Sequence, residues 1–172
     1  VIVDDALEFA AEIGNEPVAE IADDITRART PAGEEDRAAE STLGNLVGTM
    51  LRDQVAELPA GEGAPLVGVT NPGGLRAELF FDAETGANPN DTDGSVSYAE
   101  ANAVLPFGNT VSVVTLTGAQ LTEVLEQQWQ TNPGGPAPSR PYLQLGLSDN
   151  MSYTFDSDAP AGERITSVSI DG

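Results

Sequence analysis

Two glycine turns, at residues 71–76 and 106–109, carry side chains that could bind an anion and a flat ring. The first reads Asn-Pro-Gly-Gly-Leu-Arg and follows the apolar run 65–69, which is typical of a strand. Gly73 and Gly74 permit close backbone approach, which leaves N–H groups available to a ligand. Arg76, directly after them, can donate a pair of hydrogen bonds to a phosphate or a carboxylate.

The second turn, Pro-Phe-Gly-Asn, adds a ring and an amide. Phe107 can present a flat face at a loop tip, with Gly108 and the Asn109 amide beside it. One cation, one stacking ring and one amide are the parts of a nucleotide site. The alternative is purely structural: two surface turns, an arginine in an ion pair and a phenylalanine in the core.

The charge balance restricts the classes of partner. The 172 residues include 28 Asp and Glu against 7 basic residues, all of them Arg, and the formal net charge is −21. Binding to a nucleic-acid backbone needs a cationic face, and adsorption to anionic lipid needs basic residues, so we expect neither. An arginine beside a glycine turn is therefore conspicuous in this chain.

Residue types that are absent restrict the chemistry further. The chain contains no Cys, hence no disulfide, thiolate metal site or cysteine nucleophile. It contains no His, which removes the commonest general base and metal ligand. No apolar run is long enough to cross a membrane, and we expect no membrane insertion.

Helical and strand patterns alternate along the chain and predict an α+β (mixed α/β) fold. Apolar spacing predicts a helix over 1–14, and Ser41 or Thr42 can cap a second helix that buries an apolar stripe from Leu43 to Leu51. Capping boxes at Ser97–Glu100 and Thr117–Gln120 predict two more helices, the second with Trp129 on its apolar face. Predicted strands are 17–26, 65–69, 78–81, 111–116, 151–155 and 165–170.

Arg37 and a set of three acidic residues could also bind ligands. Arg37 precedes the second helix, whose N-terminus favours anions; the alternative is an ion pair with Glu34 or Glu40. Asp91, Asp93 and Glu100 match part of a calcium loop, although its first ligand position is Pro89, which has no side-chain oxygen. A solvated turn is the alternative to calcium.

Taken in order, these motifs resemble the C-terminal domain of the 5′-nucleotidase family, which includes 2′,3′-cyclic-nucleotide phosphodiesterases and UDP-sugar hydrolases. The matching stretches are Glu-Ser-Thr-Leu-Gly-Asn-Leu at 40–46, the turn at 71–76, residues 94–100, residues 105–109, Leu-Thr-Gly at 116–118 and Leu-Glu at 125–126. The resemblance implies a substrate-binding domain with a mixed sheet and flanking helices. It also implies a connecting helix and lead-in strand at 1–30 and a partial domain at 31–172.

The resemblance implies roles for individual residues. Arg76 and Arg37 would contact the phosphate and ribose end, and Asn71 would be a polar substrate contact. Phe107 would be the first of two aromatics that sandwich the base, and Asn109 a base-contacting amide. The glycines of the two turns complete the implied substrate-binding set: Gly73, Gly74 and Gly108.

The resemblance also implies a location and a partner. Two divalent metal ions would lie in a separate N-terminal metallophosphatase domain, with no cofactor in this one, so these residues alone would not hydrolyse a nucleotide. The family is extracellular, cell-wall bound or periplasmic. The alternative function is a non-enzymatic acidic surface or adhesion module, with calcium as a candidate stabilising ion.

Three departures from the family pattern bear on affinity. Gly33 stands where some bacterial members have a further arginine. Arg140 lies where some members have a small residue near the base. The family's closing segment, which carries the second aromatic and a ribose-binding Asp, is not found before Gly172. We therefore expect weak nucleotide binding.

Overall fold

A computed structural model describes residues 2–56, 63–83 and 91–172. Its helices are α1 (Ile2–Gly14), α2 (Thr42–Gln54), α3 (Tyr98–Val104) and α4 (Gly118–Glu126), with one 3-10 turn at Pro72–Gly74. Its strands are β1 (Pro17–Glu20), β2 (Val69–Thr70), β3 (Ser95–Ser97), β4 (Gly146–Leu147), β5 (Met151–Phe155) and β6 (Ile165–Ile170). The predicted α+β class is confirmed.

The described elements belong to two compact units. The first unit comprises Val1–Arg27 and Gly74–Asn109, and the second comprises Ala28–Gly73 and Thr110–Gly172. The predicted division at residue 30 remains a prediction.

In the first unit, α1 packs against α3, and β1 pairs with β3 in antiparallel register, Glu20 opposite Ser95. Tyr98 N donates to Glu16 O (2.9 Å), which joins the start of α3 to the end of α1. An isolated bridge between Ile25 and Leu79 ties the residues after β1 to those after the 3-10 turn. These connections hold the chain on either side of Arg76.

The second unit is built around a small apolar core. Leu125, Leu147 and Met151 are buried there, and side chains from β5 and β6 pack against them. β2 pairs with β4, β5 pairs with β6, both antiparallel, and α2 packs on the β2–β4 pair. A Cβ added at Gly48 would lie 2.6 Å from the Leu147 carbonyl carbon, so glycine is required for this approach of helix and strand.

Several predicted elements are correct and others are not. α1 and α2, the two capped helices and the strands 151–155 and 165–170 form as predicted. The strand predicted over 17–26 is reduced to β1 and a bridge at Ile25. The strand predicted over 65–69 is reduced to Val69–Thr70, and that over 78–81 to a bridge at Leu79. Residues 111–116 form no strand, and α4 ends at Glu126, before Trp129. These strand predictions were wrong where residues of high β-propensity have no neighbouring strand among the described residues.

Candidate functional site

Arg76 and Phe107 lie together in the first unit. The Arg76 guanidinium carbon is 5.9 Å from the centre of the Phe107 ring, a distance at which a cation is attracted to the ring face. Both residues are exposed, and the Phe107 side chain keeps 59% of its surface accessible. Among the residues that the structure describes, Arg76 forms no ion pair. Within the described residues, an acidic chain thus presents a cation without a carboxylate partner beside an exposed ring.

An ion pair that the sequence did not reveal fixes the backbone on both sides of Arg76. Arg27 Nε and Nη2 donate to the two carboxylate oxygens of Glu78, at 2.9 and 2.8 Å. Arg27 Nη1 also donates to Leu75 O at 3.4 Å. Arg76 N donates in turn to Val104 O at 3.0 Å. These bonds hold the residues before and after Arg76, which leaves its side chain directed outward.

Gly108 gives the second turn its shape. Its φ is +59°, in the left-handed region that favours glycine, and a Cβ there would meet nothing within 4 Å. Asn109 follows and is exposed. Gly74 likewise has open space where a Cβ would stand. A ligand could therefore approach the backbone at both glycines without displacing protein atoms.

Three of the predicted site residues, Arg37, Asn71 and Gly73, lie in the second unit. The Asn71 side chain accepts a hydrogen bond from Gly73 N at 2.9 Å, which closes the turn. A Cβ added at Gly73 would be 3.5 Å from Arg37 Nη1, so the Arg37 guanidinium lies against this turn. Arg37, Asn71 and Gly73 are therefore neighbours, and the side-chain oxygen of Asn71 already accepts one hydrogen bond within the turn.

Arg37 is in an ion pair, but with a residue that the sequence did not indicate. Its Nε donates to Glu35 Oε1 at 3.0 Å, whereas the predicted partners were Glu34 and Glu40. The Glu40 carboxylate instead accepts from Asn45 Nδ2 at 2.7 Å. The Arg37 side chain is 17% exposed. Any anion at Arg37 must compete with Glu35.

The predicted calcium ligands are engaged in other contacts. Glu100 Oε2 accepts from Ser97 N (2.9 Å) and Ser97 Oγ (2.8 Å) in the capping box of α3. Asp91 accepts from Thr92 N, and Asp93 accepts from Ala83 N. Pro89 lies outside the described residues. Within the described residues, no group of three or more Asp and Glu side chains is arranged to hold a metal ion.

An aromatic cluster in the second unit was not predicted. Trp129 lies 4.7 Å from Tyr142 and 5.2 Å from Phe155 between ring centres, and the Arg164 guanidinium is 5.1 Å from the Trp129 ring. Trp129 therefore packs in a half-exposed cluster rather than on the face of α4. Arg140, two residues before Tyr142 in the sequence, is exposed.

A polar network borders this cluster. Tyr142 Oη donates to Gln144 Oε1 at 2.6 Å and lies 3.0 Å from Tyr153 Oη. Gln128 Oε1 accepts from Tyr153 Oη (3.1 Å) and from Leu145 N (2.9 Å). Burial, and secondarily the contact with Tyr153, raises the pKa of Tyr142 above its usual value because the phenolate would lose its hydration.

No described helix is both long and apolar enough to cross a lipid bilayer. Arg76, Phe107 and Asn109 in the first unit, and Arg37 and Asn71 in the second unit, are residue types that suit charge, a ring and hydrogen-bonding groups. None of these side chains is a carboxylate or an imidazole, so they do not fit a two-metal hydrolytic centre.

Comparisons with known proteins identify relatives over most of this chain. The family model described as "5'-nucleotidase, C-terminal domain" matches residues 17–172. The cell wall protein Lmo0130 of Listeria monocytogenes is 32% identical over 134 residues, which are 77% of this chain and 15% of that protein. The trifunctional nucleotide phosphoesterase protein YfkN of Bacillus subtilis is 31% identical over 137 residues, which are 78% of this chain and 8% of that protein.

Solved structures share the fold. The crystal structure of a 5′-nucleotidase precursor from Thermus thermophilus matches with a TM-score of 0.64 at 24% identity, over 98% of this chain and 28% of that one. The NAD nucleotidase of Haemophilus influenzae matches with a TM-score of 0.56 at 17% identity, over 98% of this chain and 26% of that one. The chain thus spans less than a third of each of these relatives.

Proposed function

Because this chain belongs to the family of 5′-nucleotidase C-terminal domains, we propose that it is the nucleotide-recognition domain of a metal-dependent phosphohydrolase. The observation that carries the proposal is the Arg76–Phe107 pair: an exposed cation without a carboxylate partner among the described residues, 5.9 Å from an exposed ring, in a chain of net charge −21. A structural arginine in so acidic a chain would be expected to pair with one of the many carboxylates.

Each predicted side chain has a role in this proposal. Phe107 stacks on the base with the ring face that Arg76 does not cover, and Asn109 donates to or accepts from the edge of the base. Arg76 and Arg37 attract the phosphate and the ribose end, and Asn71 adds a polar contact. Gly73, Gly74 and Gly108 let the nucleotide approach the backbone.

Hydrolysis is assigned to a linked metallophosphatase domain. Two divalent metal ions there would activate a water molecule for attack on phosphorus, a chemistry that the side chains of the two turns do not fit. The role of these residues is to hold the substrate, and by themselves they are expected to bind but not to turn over nucleotides. An address outside the cytoplasm, in the cell wall or in the periplasm, is part of the proposal, and the similarity to a cell wall protein supports it.

The same similarity favours one second candidate. A cell-wall relative and a strongly acidic surface would also suit a non-enzymatic binding or adhesion module. Such a module needs no nucleotide site, so nucleotide titration separates the two functions.

The proposal is tested by titrating adenosine 5′-monophosphate into the labelled chain and following backbone amide shifts. We expect shifts at residues 71–76 and 106–109. Phe107→Ala should weaken binding roughly 5- to 150-fold, since stacking of a base on an aromatic side chain contributes about 1–3 kcal/mol. Phe9→Ala removes a similarly exposed ring from α1 and should leave the affinity unchanged.

Two variants that each remove one positive charge test the role of Arg76. Arg76→Ala should weaken binding of the nucleotide more than binding of adenosine, because only the nucleotide carries a phosphate. Arg29→Ala removes the same charge from another exposed position and should have little effect. Nucleotide-induced shifts that avoid both turns, or that survive both Phe107→Ala and Arg76→Ala, would contradict the proposal.

A further inference from the structure

Glu78, two residues after Arg76, is held by Arg27 in a two-point ion pair within the first unit. Arg27 Nε and Nη2 reach separate carboxylate oxygens, at 2.9 and 2.8 Å, so both oxygens of Glu78 accept a hydrogen bond from the same guanidinium. The pair is largely buried, since the side chains of Arg27 and Glu78 are 19% and 7% exposed. The Glu78 carboxylate therefore faces Arg27 rather than water.

Glu78 is also the acidic residue nearest to Arg76 in the sequence. Two residues of chain span at most about 7 Å, a distance that the side chains of an arginine and a glutamate can bridge. Arg76 nevertheless forms no ion pair among the described residues, and its guanidinium lies 5.9 Å from the centre of the Phe107 ring. Arg27 thus occupies the carboxylate that would compete most directly for Arg76.

We propose that Arg27 is a positioning residue: by binding Glu78 at two points, it keeps that carboxylate away from Arg76 and leaves Arg76 free to bind an anion. The anion is the phosphate of a nucleotide, and this part of the inference rests on the function proposed above. The ion pair also neutralises Glu78, whose charge would otherwise repel a phosphate at Arg76. Arg27 acts through Glu78 and does not touch the ligand.

Breaking the ion pair from its two sides should have different consequences. Arg27→Met leaves a nearly buried carboxylate without its guanidinium, which is costly enough for the carboxylate to turn to water or to another cation. Arg76 is two residues away, so in part of the population Glu78 would capture it. Glu78→Gln breaks the same ion pair but offers Arg76 no carboxylate. An ion pair with a purely structural role would matter equally from both sides.

Titration with adenosine 5′-monophosphate measures this difference. Arg27→Met should weaken nucleotide binding roughly 2- to 6-fold, the effect of a competing ion pair of ordinary surface strength on the free fraction of Arg76. Binding of adenosine should change less, because adenosine has no phosphate. Glu78→Gln should not weaken nucleotide binding, and the double variant Arg27→Met/Glu78→Gln should restore the affinity of the natural chain.

A second double variant separates this competition from the general effect of charge. Arg27→Met/Glu20→Gln has the same net charge as Arg27→Met/Glu78→Gln, but it loses a carboxylate from an exposed position of β1 in the same unit. It should bind the nucleotide as weakly as Arg27→Met does. Equal restoration by both double variants would assign the effect to net charge and would overturn the proposal.

The state of Arg76 can also be observed without a ligand. A guanidinium held by a carboxylate rotates more slowly about its Nε–Cζ bond, which is visible in the NMR spectrum of the side-chain nitrogens. Rotation of Arg76 should slow in Arg27→Met and recover when Glu78→Gln is added. If the natural chain fails to bind the nucleotide, the function proposed above is wrong, and this signal still decides whether Arg27 keeps Glu78 from Arg76.

Thermal unfolding checks that the variants are folded. Where Arg27→Met does not fold, Arg27→Lys takes its place, because an ammonium keeps the charge but cannot match both carboxylate oxygens as a planar guanidinium does. It should slow the rotation of Arg76 and weaken nucleotide binding in the same direction, to a smaller extent. Two further results would overturn the proposal: an unchanged Arg76 signal in a folded Arg27 variant, or a Glu78→Gln variant that binds the nucleotide as weakly as that Arg27 variant.

Discussion

Arginine side chains in this protein divide by what neutralises them. Arg27, Arg37 and Arg52 each form an ion pair, with Glu78, Glu35 and Asp53 respectively. Arg76 and Arg164 instead lie near aromatic rings. The ring near Arg76 is the loop-tip Phe107, whereas the ring near Arg164 is Trp129, which belongs to an aromatic cluster. That difference favours Arg76 over Arg164 as the ligand-binding arginine in our proposal.

Residue identities at the two turns could be proposed from sequence because the relevant signals are local. An Asn-Pro-Gly-Gly-Leu-Arg stretch already specifies a turn followed by a cation. The Arg27–Glu78 ion pair could not be proposed, since 51 residues separate its members and each is an ordinary charged residue by itself. The predicted partner of Arg37 was wrong because Glu34, Glu35 and Glu40 are all near enough in sequence to form the ion pair.

Tyr142 should make the folded state sensitive to alkali. Its folded-state pKa is raised above the usual 10, so the unfolded chain loses this proton first as the pH rises. Stability from the group is complete well below pH 10, the pKa in the unfolded chain, and declines above it while only the unfolded state is ionised.

Urea unfolding at a series of pH values measures this decline. Tyr142→Phe should be less stable at neutral pH, because it loses the contacts to Gln144 and Tyr153, yet its stability should fall less steeply above pH 10. Parallel curves for the variant and the natural chain would show that Tyr142 is not responsible.

At the level of elements, helices were predicted well and strands poorly. Both capping boxes form, because a box needs only residues that are three apart. A strand needs a partner from elsewhere in the chain, and the length of that pairing is not visible in the local sequence. β2 pairs with β4 over only two residues. The β5–β6 hairpin was predictable because its two strands follow each other closely in sequence.

The two capping boxes should differ in strength. Ser97→Ala should lower the free energy of unfolding by about 2 kcal/mol and Thr117→Ala by about 1 kcal/mol, both within the range for lost N-caps. Ser97 is 1% exposed, so its loss leaves a buried N–H and a carboxylate less satisfied, whereas the Thr117 hydroxyl bonds are exposed to water. Equilibrium urea unfolding of both variants gives the comparison, and equal losses would contradict it.

At the level of the whole molecule, net charge is the property that sequence established most directly. All seven basic residues are Arg and the formal charge is −21, which remains a source of self-repulsion in the folded state. Family membership adds the domain type, while the nucleotide, the linked metal domain and the location remain proposals.

Salt should therefore stabilise the protein. We expect the melting temperature to rise with sodium chloride, because screening relieves repulsion among carboxylates more than it weakens the few ion pairs. Potassium chloride should act identically. At equal ionic strength, a larger effect of calcium chloride that Asp93→Ala abolishes would support the calcium-loop hypothesis, and a melting temperature that falls with salt would contradict the repulsion argument.

The exposure of Arg76 also has a consequence for proteolysis. In a chain without lysine, trypsin can cut only after arginine, and Arg76 is exposed on a turn. Arg27, by contrast, is held at three points by Glu78 and Leu75. The bond between Arg76 and Ala77 is thus an expected early cleavage site, and a nucleotide seated on Arg76 would protect it. Protease resistance would then report occupancy of the turn without any label.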